Sequence, residues 1–179
     1  NAAPVLIEVD PSNACNHSCN FCLSAYIHFD KYKGSETFSR SLMPRDMLMK
    51  LCEDFVNMGV RAVITRGSMN LGRLSGGLPP EEVVQSHDDI LQDSERLISR
   101  YHDSEAGAMT QVALAPCSPF SVTPELLSDT ALMAEKYDVL LHTHLAETTD
   151  EEEFCQKTFG CRPLEHLQRA GWSGARSWF

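Results

Sequence analysis

The sequence predicts an α/β protein, specifically a partial (β/α) barrel of the TIM type with about five βα units. Three observations support this fold class. Short apolar, β-branched segments alternate along the chain with longer segments of helical periodicity. Polar loops rich in Gly and Pro follow the predicted strands, at the end where such barrels carry their sites. The 179 residues suffice for one sizeable core, whereas a closed barrel of this type needs eight strands.

The first predicted unit runs strand, loop, helix and strand, a βαβ arrangement. Residues 5–9 are apolar and β-branched, and the turn residues of 10–13 lead into a cysteine-containing loop. Pro44 stands where a helix can start. Apolar residues then recur at helical spacing until Gly59, which is placed to end the helix. Residues 60–65 are the second predicted strand.

The rest of the chain continues this alternation. A Gly/Pro-rich loop over residues 66–80 comes first. Thr123 is predicted to cap a helix whose first position is Pro124, because these residue types are favoured there. Helices are predicted over residues 81–101, 124–136, 149–158 and 163–170, and strands over 110–115, 139–144 and, as the start of one more, 177–179.

Composition and charge argue against several function classes. The formal net charge of −10 disfavours a nucleic-acid-binding surface, which would be basic. No run of about 18 apolar residues is present, so no membrane span is expected. No leader with a basic and then an apolar segment is visible, and the seven cysteines are odd in number and partly clustered. We therefore expect a cytoplasmic protein with reduced thiols, and buried or incidental roles for Cys52, Cys117, Cys155 and Cys161.

Three cysteines, Cys15, Cys19 and Cys22, lie within eight residues in a C-x3-C-x2-C pattern. A loop with this spacing can place three thiolates around one metal centre and leave a coordination position open. A zinc knuckle and unrelated thiols are the alternatives. With the aromatic Phe21 just before the last cysteine, residues 5–65 resemble the radical S-adenosylmethionine (radical SAM) enzymes.

The radical SAM resemblance implies a 4Fe–4S cluster held by Cys15, Cys19 and Cys22, with S-adenosylmethionine chelating the fourth iron. It also implies radical chemistry, in which one electron cleaves the sulfonium and a 5′-deoxyadenosyl radical abstracts hydrogen from a substrate. The loop follows the first predicted strand, where barrel sites are built. The family usually carries a Gly-Gly-Glu stretch after its second strand, where this chain has residues 66–69, Arg-Gly-Ser-Met.

A second group of candidate residues lies at the end of a later predicted strand, in the segment His-Thr-His-Leu-Ala-Glu of residues 142–147. His142 and His144 are expected on one face of that strand, because side chains alternate with a period of two. A histidine at the end of a strand is well suited to bind zinc. Glu147, three residues after His144, could carry protons to and from a metal-bound water. Ordinary strand-end histidines without a metal are the alternative.

This segment is part of a longer stretch, residues 62–179, that resembles the amidohydrolase superfamily, in particular its 8-oxoguanine deaminase and triazine hydrolase branch. The matching motifs are residues 66–69, 76–80, 113–121, 142–147, 154–163 and 171–172. The resemblance implies attack of a zinc-bound hydroxide on a purine- or triazine-like ring, the small-molecule substrate. It assigns His144 as a zinc ligand on the fifth barrel strand and Glu147 as the catalytic proton-transfer residue. The family's other ligands, a His-x-His pair, a further His and an Asp, are not present as such.

We interpret the chain as a composite of two segments. Residues 1–65 are a radical SAM-like βαβ segment with a cluster loop, and residues 66–179 are a middle segment of an amidohydrolase-like barrel. Three functions are open: an iron–sulfur radical SAM protein, a zinc-dependent deaminase or hydrolase if missing barrel parts are supplied, or a catalytically incomplete chain. We expect the last for the sequence as it stands, because one ligand of a multi-ligand site does not hold zinc tightly. Open barrel edges also predict oligomerisation.

Other titratable residues are expected to lie outside any site. The acidic residues 151–153 are predicted to form a solvated helix N-terminus, stabilised there by the helix dipole. His87, His102 and His166 are predicted at the surface.

Overall fold

The computed structural model describes residues 53–54, 57–59 and 61–179 of a chain that divides into two compact units, Asn1–Gly59 and Val60–Phe179. Within the second unit, four parallel strands form one sheet in the order β1-β2-β3-β4. The strands are β1 (Ala62–Ser68), β2 (Thr110–Pro116), β3 (Leu140–His142) and β4 (Ser177–Trp178), and the helices are α1 (His87–Tyr101), α2 (Pro124–Tyr137), α3 (Thr149–Phe159) and α4 (Pro163–Arg169).

The order of the strands in the sheet is their order in the chain, as in a barrel where each strand joins the one before it. Helices lie between successive strands because a parallel pair needs a long crossover. The predicted α/β class and the alternation of strands and helices are therefore confirmed, and the described residues form part of a barrel. β1 and β4 are the outer strands of this sheet, so the predicted oligomerisation through open edges stays a prediction.

The strand register brings the carboxyl ends of the strands to one edge. Ser68 of β1 pairs with Pro116 of β2, and His142 of β3 pairs with Trp178 of β4. The segments that follow β1, β2 and β3 therefore emerge at the same edge of the sheet. This is the edge at which parallel α/β folds place their functional groups.

The core lies between the sheet and the helices. β2 is buried over its last five residues, Val112 to Pro116, as expected for a central strand with an apolar sequence. Leu114 of β2 and Leu126 and Leu127 of α2 belong to one apolar cluster that also contains Trp172. The indole N–H of Trp172 donates to the Leu127 carbonyl over 2.9 Å, which satisfies the polar atom of this buried ring. Burying a side chain such as Leu114 contributes about 1.5–3 kcal/mol.

The helix predicted over residues 81–101 begins later than expected, at His87. Residues Glu81–Val83 form a short 3-10 turn instead, after the extended Pro80. Ser86 provides the true start, because its hydroxyl accepts the Asp89 amide N–H over 3.1 Å. By contrast, the predicted start of α2 is confirmed, with Thr123 as its cap and Pro at its first position.

The strand predicted over residues 139–144 is shorter than expected, because only Leu140–His142 pair in the sheet. The amide N–H of Val139 bonds to the Ala134 carbonyl at the end of α2. Beyond the strand, the His144 amide N–H and the Thr143 hydroxyl both donate to the Cys117 carbonyl, over 3.0 and 3.2 Å. The chain after β3 thus stays attached to the end of β2 outside the regular ladder.

Little of the first unit is described. The Met58 amide N–H donates to the Asp54 carbonyl over 3.0 Å, a helical bond, and Gly59 has a φ of 71°, as suits the predicted helix end. The predicted strand over residues 5–9 and the cysteine loop lie outside the described residues. Among the helices of the described ranges, we find none long and apolar enough to cross a membrane.

Candidate functional site

The candidate site lies at the carboxyl edge of the sheet, where three loops meet. They are the β1–α1 loop (residues 69–86), the β2–α2 loop (residues 117–123) and the β3–α3 loop (residues 143–148). The β2–α2 loop is joined to both others: the Cys117 amide N–H donates to the Ser68 carbonyl at the end of β1, and the Cys117 carbonyl accepts from His144. These bonds fix the loops relative to the strand ends.

The β1–α1 and β2–α2 loops form one hydrogen-bonded wall. The Asn70 side chain clamps the helix cap Thr123, accepting its amide N–H over 2.8 Å and donating to its hydroxyl over 3.1 Å. The amides of Asn70 and Leu71 both donate to the Ser121 carbonyl, each over 3.1 Å. Asn70 comes directly after the 66–69 motif. It was not among the residues predicted from the sequence to contribute to a site.

Arg66, in that same motif, is a buried structural residue. Its guanidinium donates to the side-chain oxygen of Gln85 over 2.9 Å and lies 3.5 Å from the Asp93 carboxylate of α1. It therefore ties the end of β1 to the helix that follows.

The two predicted histidines lie close together, although His144 follows β3 instead of belonging to it, and their surroundings differ. Their ring centroids are 5.6 Å apart in an edge-to-face arrangement. The half-buried His142 ring stacks on Trp178 at 4.8 Å, and its Nδ1 lies 3.3 Å from the Trp178 carbonyl. His144 is exposed at the edge of the sheet. Of the two, His144 is the more exposed, and its role as a zinc ligand stays a prediction.

Glu147 lies in the β3–α3 loop with an exposed side chain. The backbone at this position is held by hydrogen bonds to the side chain of Glu151, the third residue of α3. The Ala146 amide N–H donates to Glu151 Oε1 over 3.0 Å, and the Glu147 amide N–H donates to Glu151 Oε2 over 2.8 Å. Ala146 has a φ of 54°, in the left-handed region that residues with a side chain seldom adopt.

Glu151 was expected at a solvated helix start, and that expectation is wrong. Its residue is 0% exposed, because the loop folds over the first turn of α3. A Thr-x-x-Glu signature over residues 148–151, the capping-box pattern, is the signal that could have indicated this. Glu152 and Glu153 are half-buried and exposed, respectively.

The prediction that His166 lies at the surface also needs correction, whereas His87 and His102 are half-buried. His166 is buried and stacks on Phe159, with ring centroids 3.9 Å apart, and its pKa is lowered by burial and then by the charge of Arg169. The His102 Nδ1 accepts the Val112 amide N–H over 3.0 Å, which links the end of α1 to β2. His87 lies 2.8 Å from the Asp129 carboxylate. Each has a role in packing or in linking elements.

The buried-thiol prediction is confirmed for Cys155 and Cys161, which are buried in their reduced form, while Cys117 is half-buried. Burial raises the pKa of the Cys155 thiol to about 12. A thiol with so high a pKa has little thiolate at neutral pH and is a poor metal ligand or nucleophile.

The described side chains at this edge supply too few donors for a complete zinc site. Zinc sites in proteins take three or four protein ligands. In the part of the chain that the structure describes, no group of three His, Cys, Asp or Glu side chains lies close enough to hold a metal ion. His144 supplies one imidazole of the right kind, so a complete zinc site would need donors from outside these residues. Cys15, Cys19 and Cys22 also lie outside them, and their cluster stays a prediction.

Comparison with known proteins gives a family match over most of the chain. The model of the "Amidohydrolase family" matches residues 31–175. The match includes the β3–α3 loop and begins within the segment of residues 5–65 that carries the radical SAM resemblance.

Two curated relatives illustrate the similarity. An 8-oxoguanine deaminase of Pseudomonas aeruginosa is 58% identical over 121 residues, which are 68% of this chain and 27% of the relative. A hydroxydechloroatrazine ethylaminohydrolase of Pseudomonas sp. (strain ADP) is 36% identical over 121 residues, which are 68% of this chain and 25% of the relative. The chain thus spans about a quarter of the length of these curated relatives.

A solved structure shows the same arrangement. The atrazine chlorohydrolase of Arthrobacter aurescens TC1, complexed with zinc, superposes with a TM-score of 0.67 at 36% identity, covering 70% of this chain and 28% of that one. The similarity extends to fold and sequence together.

Proposed function

Because the chain belongs to the amidohydrolase family, we propose that its β3–α3 loop is part of the active site of a zinc-dependent hydrolase that displaces an amino group from an N-heterocyclic ring. The observation that carries this proposal is the placement of His144 and Glu147 in one loop at the carboxyl edge of a parallel sheet. The relatives named for 8-oxoguanine and for an aminated triazine support a purine- or triazine-like substrate.

In this proposal each residue has a chemical task. His144 would bind zinc through its exposed imidazole, together with donors from outside the described residues. Zinc, when bound, would supply the activated water that the reaction requires. The exposed Glu147 carboxylate would accept a proton from that water and pass it to the departing nitrogen, so that a C–O bond forms, the C–N bond breaks and ammonia leaves.

The proposal is best tested in a chimaera, since the chain spans about a quarter of its relatives. The 121 matched residues of the Pseudomonas aeruginosa 8-oxoguanine deaminase are replaced by the corresponding residues of this chain. Zinc content and ammonia release from 8-oxoguanine are then measured. We expect a zinc-loaded chimaera that releases ammonia, and a Glu147→Gln variant with kcat lowered about 10²-fold or more.

A matched control is available on the adjoining helix. Glu153 is exposed on α3, and Glu153→Gln removes the same charge without touching the loop, so its kcat should equal that of the parent. A folded, zinc-loaded chimaera without ammonia release would overturn the proposal. So would a Glu147→Gln variant as active as the Glu153→Gln control.

A second function is favoured by the C-x3-C-x2-C pattern, and we propose it for the first segment alone: residues 1–65 bind a 4Fe–4S cluster and S-adenosylmethionine through Cys15, Cys19 and Cys22. Anaerobic reconstitution with iron and sulfide, followed by metal analysis, tests this. About four irons per chain are expected, and they should be lost in Cys19→Ala. Iron content that does not respond to this substitution would refute the assignment.

A further inference from the structure

Glu151 presents a buried carboxylate whose two oxygens are both bonded to backbone amides of the preceding loop. Oε1 accepts the Ala146 N–H over 3.0 Å and Oε2 accepts the Glu147 N–H over 2.8 Å. The residue is 0% exposed. Burial of an ionised carboxylate is unfavourable unless hydrogen bonds compensate for the lost water, and two charge-assisted bonds at a helix N-terminus do so.

These bonds are not needed to cap α3. Thr148 is the N-cap residue, and its hydroxyl accepts the Glu151 amide N–H over 3.3 Å. In an ordinary capping box, the acidic third residue returns to the amide of the cap itself. Here the carboxylate reaches past Thr148 to the two residues before it. Its bonds therefore order the loop that enters the helix.

The loop needs such a support because its backbone is unusual. Ala146 has a φ of 54°, a conformation that residues with a Cβ seldom adopt. Released from Glu151, Ala146 would favour ordinary backbone angles, and the direction in which the Glu147 side chain leaves the backbone would change. The Glu147 amide is itself one of the two groups that Glu151 holds.

We propose that Glu151 is a positioning residue that fixes the direction of the Glu147 carboxylate through the backbone of the β3–α3 loop, the loop that also contains His144. The catalytic meaning of this position rests on the proposed function, whereas the loop geometry does not. Glu151 itself touches neither substrate nor metal in this proposal. It acts by holding two amides in one orientation.

The test uses amide hydrogen exchange, measured residue by residue in the 179-residue chain. In Glu151→Gln, one oxygen becomes an NH₂ group that cannot accept, so the Ala146 and Glu147 amides should exchange at least about tenfold faster. The core strand amides of Val112 and Leu114 should keep their protection. Glu153→Gln, which removes an exposed charge from the same helix, should change none of the four.

Glu151→Asp provides a second variant that keeps the charge but shortens the reach, and it should also speed exchange at both loop amides. Unchanged exchange at residues 146 and 147 would overturn the proposal. So would an equal rise in the loop and in β2, or a failure of both variants to fold, since each would show a general structural role.

The kinetic consequence is separable from the exchange result. In the chimaera described above, Glu151→Gln should lower kcat about 10²-fold with KM unchanged, because the carboxylate is misplaced while the ring is still bound. An inactive parent chimaera would refute the proposed function and leave the exchange measurement to decide the role of Glu151. An active parent with unaltered kcat in the variant would refute the positioning role.

Discussion

The first turns of α2 and α3 are built alike but do different things. Each begins with a threonine whose hydroxyl accepts the amide N–H three residues on, that of Leu126 over 3.2 Å and that of Glu151 over 3.3 Å. In both helices this third residue is 0% exposed. In α2 it is a leucine that packs in the apolar core, and in α3 it is a glutamate that bonds to the preceding loop.

The difference shows what a helix start signal does and does not determine. The threonine cap decides where the helix begins, because it satisfies an amide that has no partner within the helix. Whether the third residue is buried depends on what covers that turn. At α2 the covering structure is the core, so an apolar residue contributes stability. At α3 it is a loop whose Ala146 and Glu147 amides donate to the Glu151 carboxylate, so an acid contributes loop geometry.

The largest effect is expected from substitution of Leu126, the apolar third residue of α2. Leu126→Ala should lower the free energy of unfolding by about 2–5 kcal/mol, because it leaves a cavity in a close-packed core. Urea denaturation followed by circular dichroism measures this. Leu132→Ala is the matched control, since Leu132 is 64% exposed on the same helix, and it should change stability by no more than about 0.5 kcal/mol. Equal losses in the two variants would show that α2 does not pack as described.

Much of the fold was predictable from local sequence signals. The periodicities and the Thr123-Pro124 start identified the four described strands and α2 to α4, because their apolar spacing agrees with their burial. The start of α1 was placed too early, since Glu81 and its neighbours are good helix formers but follow the extended Pro80. There the cap at Ser86 outweighed helix propensity.

The candidate site was predictable only in part. The spacing predicted His142 and His144 on one face of a strand, and their rings do lie close together, but the strand ends at His142 and His144 belongs to the loop after it. The roles of Glu151, Asn70 and Trp178 depend on contacts between elements that the sequence does not reveal. A run of acidic residues at a helix start is ordinarily solvated, and only the loop folded over α3 makes Glu151 an exception.

Removing the two caps is expected to have a smaller effect than Leu126→Ala. Thr148→Ala should destabilise the protein by about 1 kcal/mol, because the Glu151 amide loses its acceptor. Thr123→Ala should cost more, since the Thr123 hydroxyl also accepts from Asn70. Urea denaturation of both variants gives the order. Asn70→Ala should then lower the free energy of unfolding by less in the Thr123→Ala background than in the parent. If the losses from the two substitutions were strictly additive, the contact between Asn70 and Thr123 would be ruled out.

The smallest expected effect concerns the carboxyl-terminal ends of α2 and α3. α2 ends with Tyr137, whose hydroxyl bonds to the exposed Glu95 carboxylate, and α3 ends with Phe159, which stacks on the buried His166. Burial lowers the pKa of His166, so the folded state disfavours its protonated form. The unfolded chain then binds more protons as the pH drops below about 6.5, the ordinary histidine value.

Stability should consequently fall as the pH is lowered through that range, and it should fall less in His166→Phe, which keeps an aromatic stack but cannot be protonated. The measurement is the free energy of unfolding by urea at several pH values between 7.5 and 5. The difference in the free energy of unfolding between the parent and His166→Phe should be constant above the ordinary histidine pKa. It should shrink or reverse below that pKa. Parallel curves would mean that His166 is protonated as readily in the fold as in the unfolded chain, and that the stack at the end of α3, like the hydroxyl contact at the end of α2, is open to solvent.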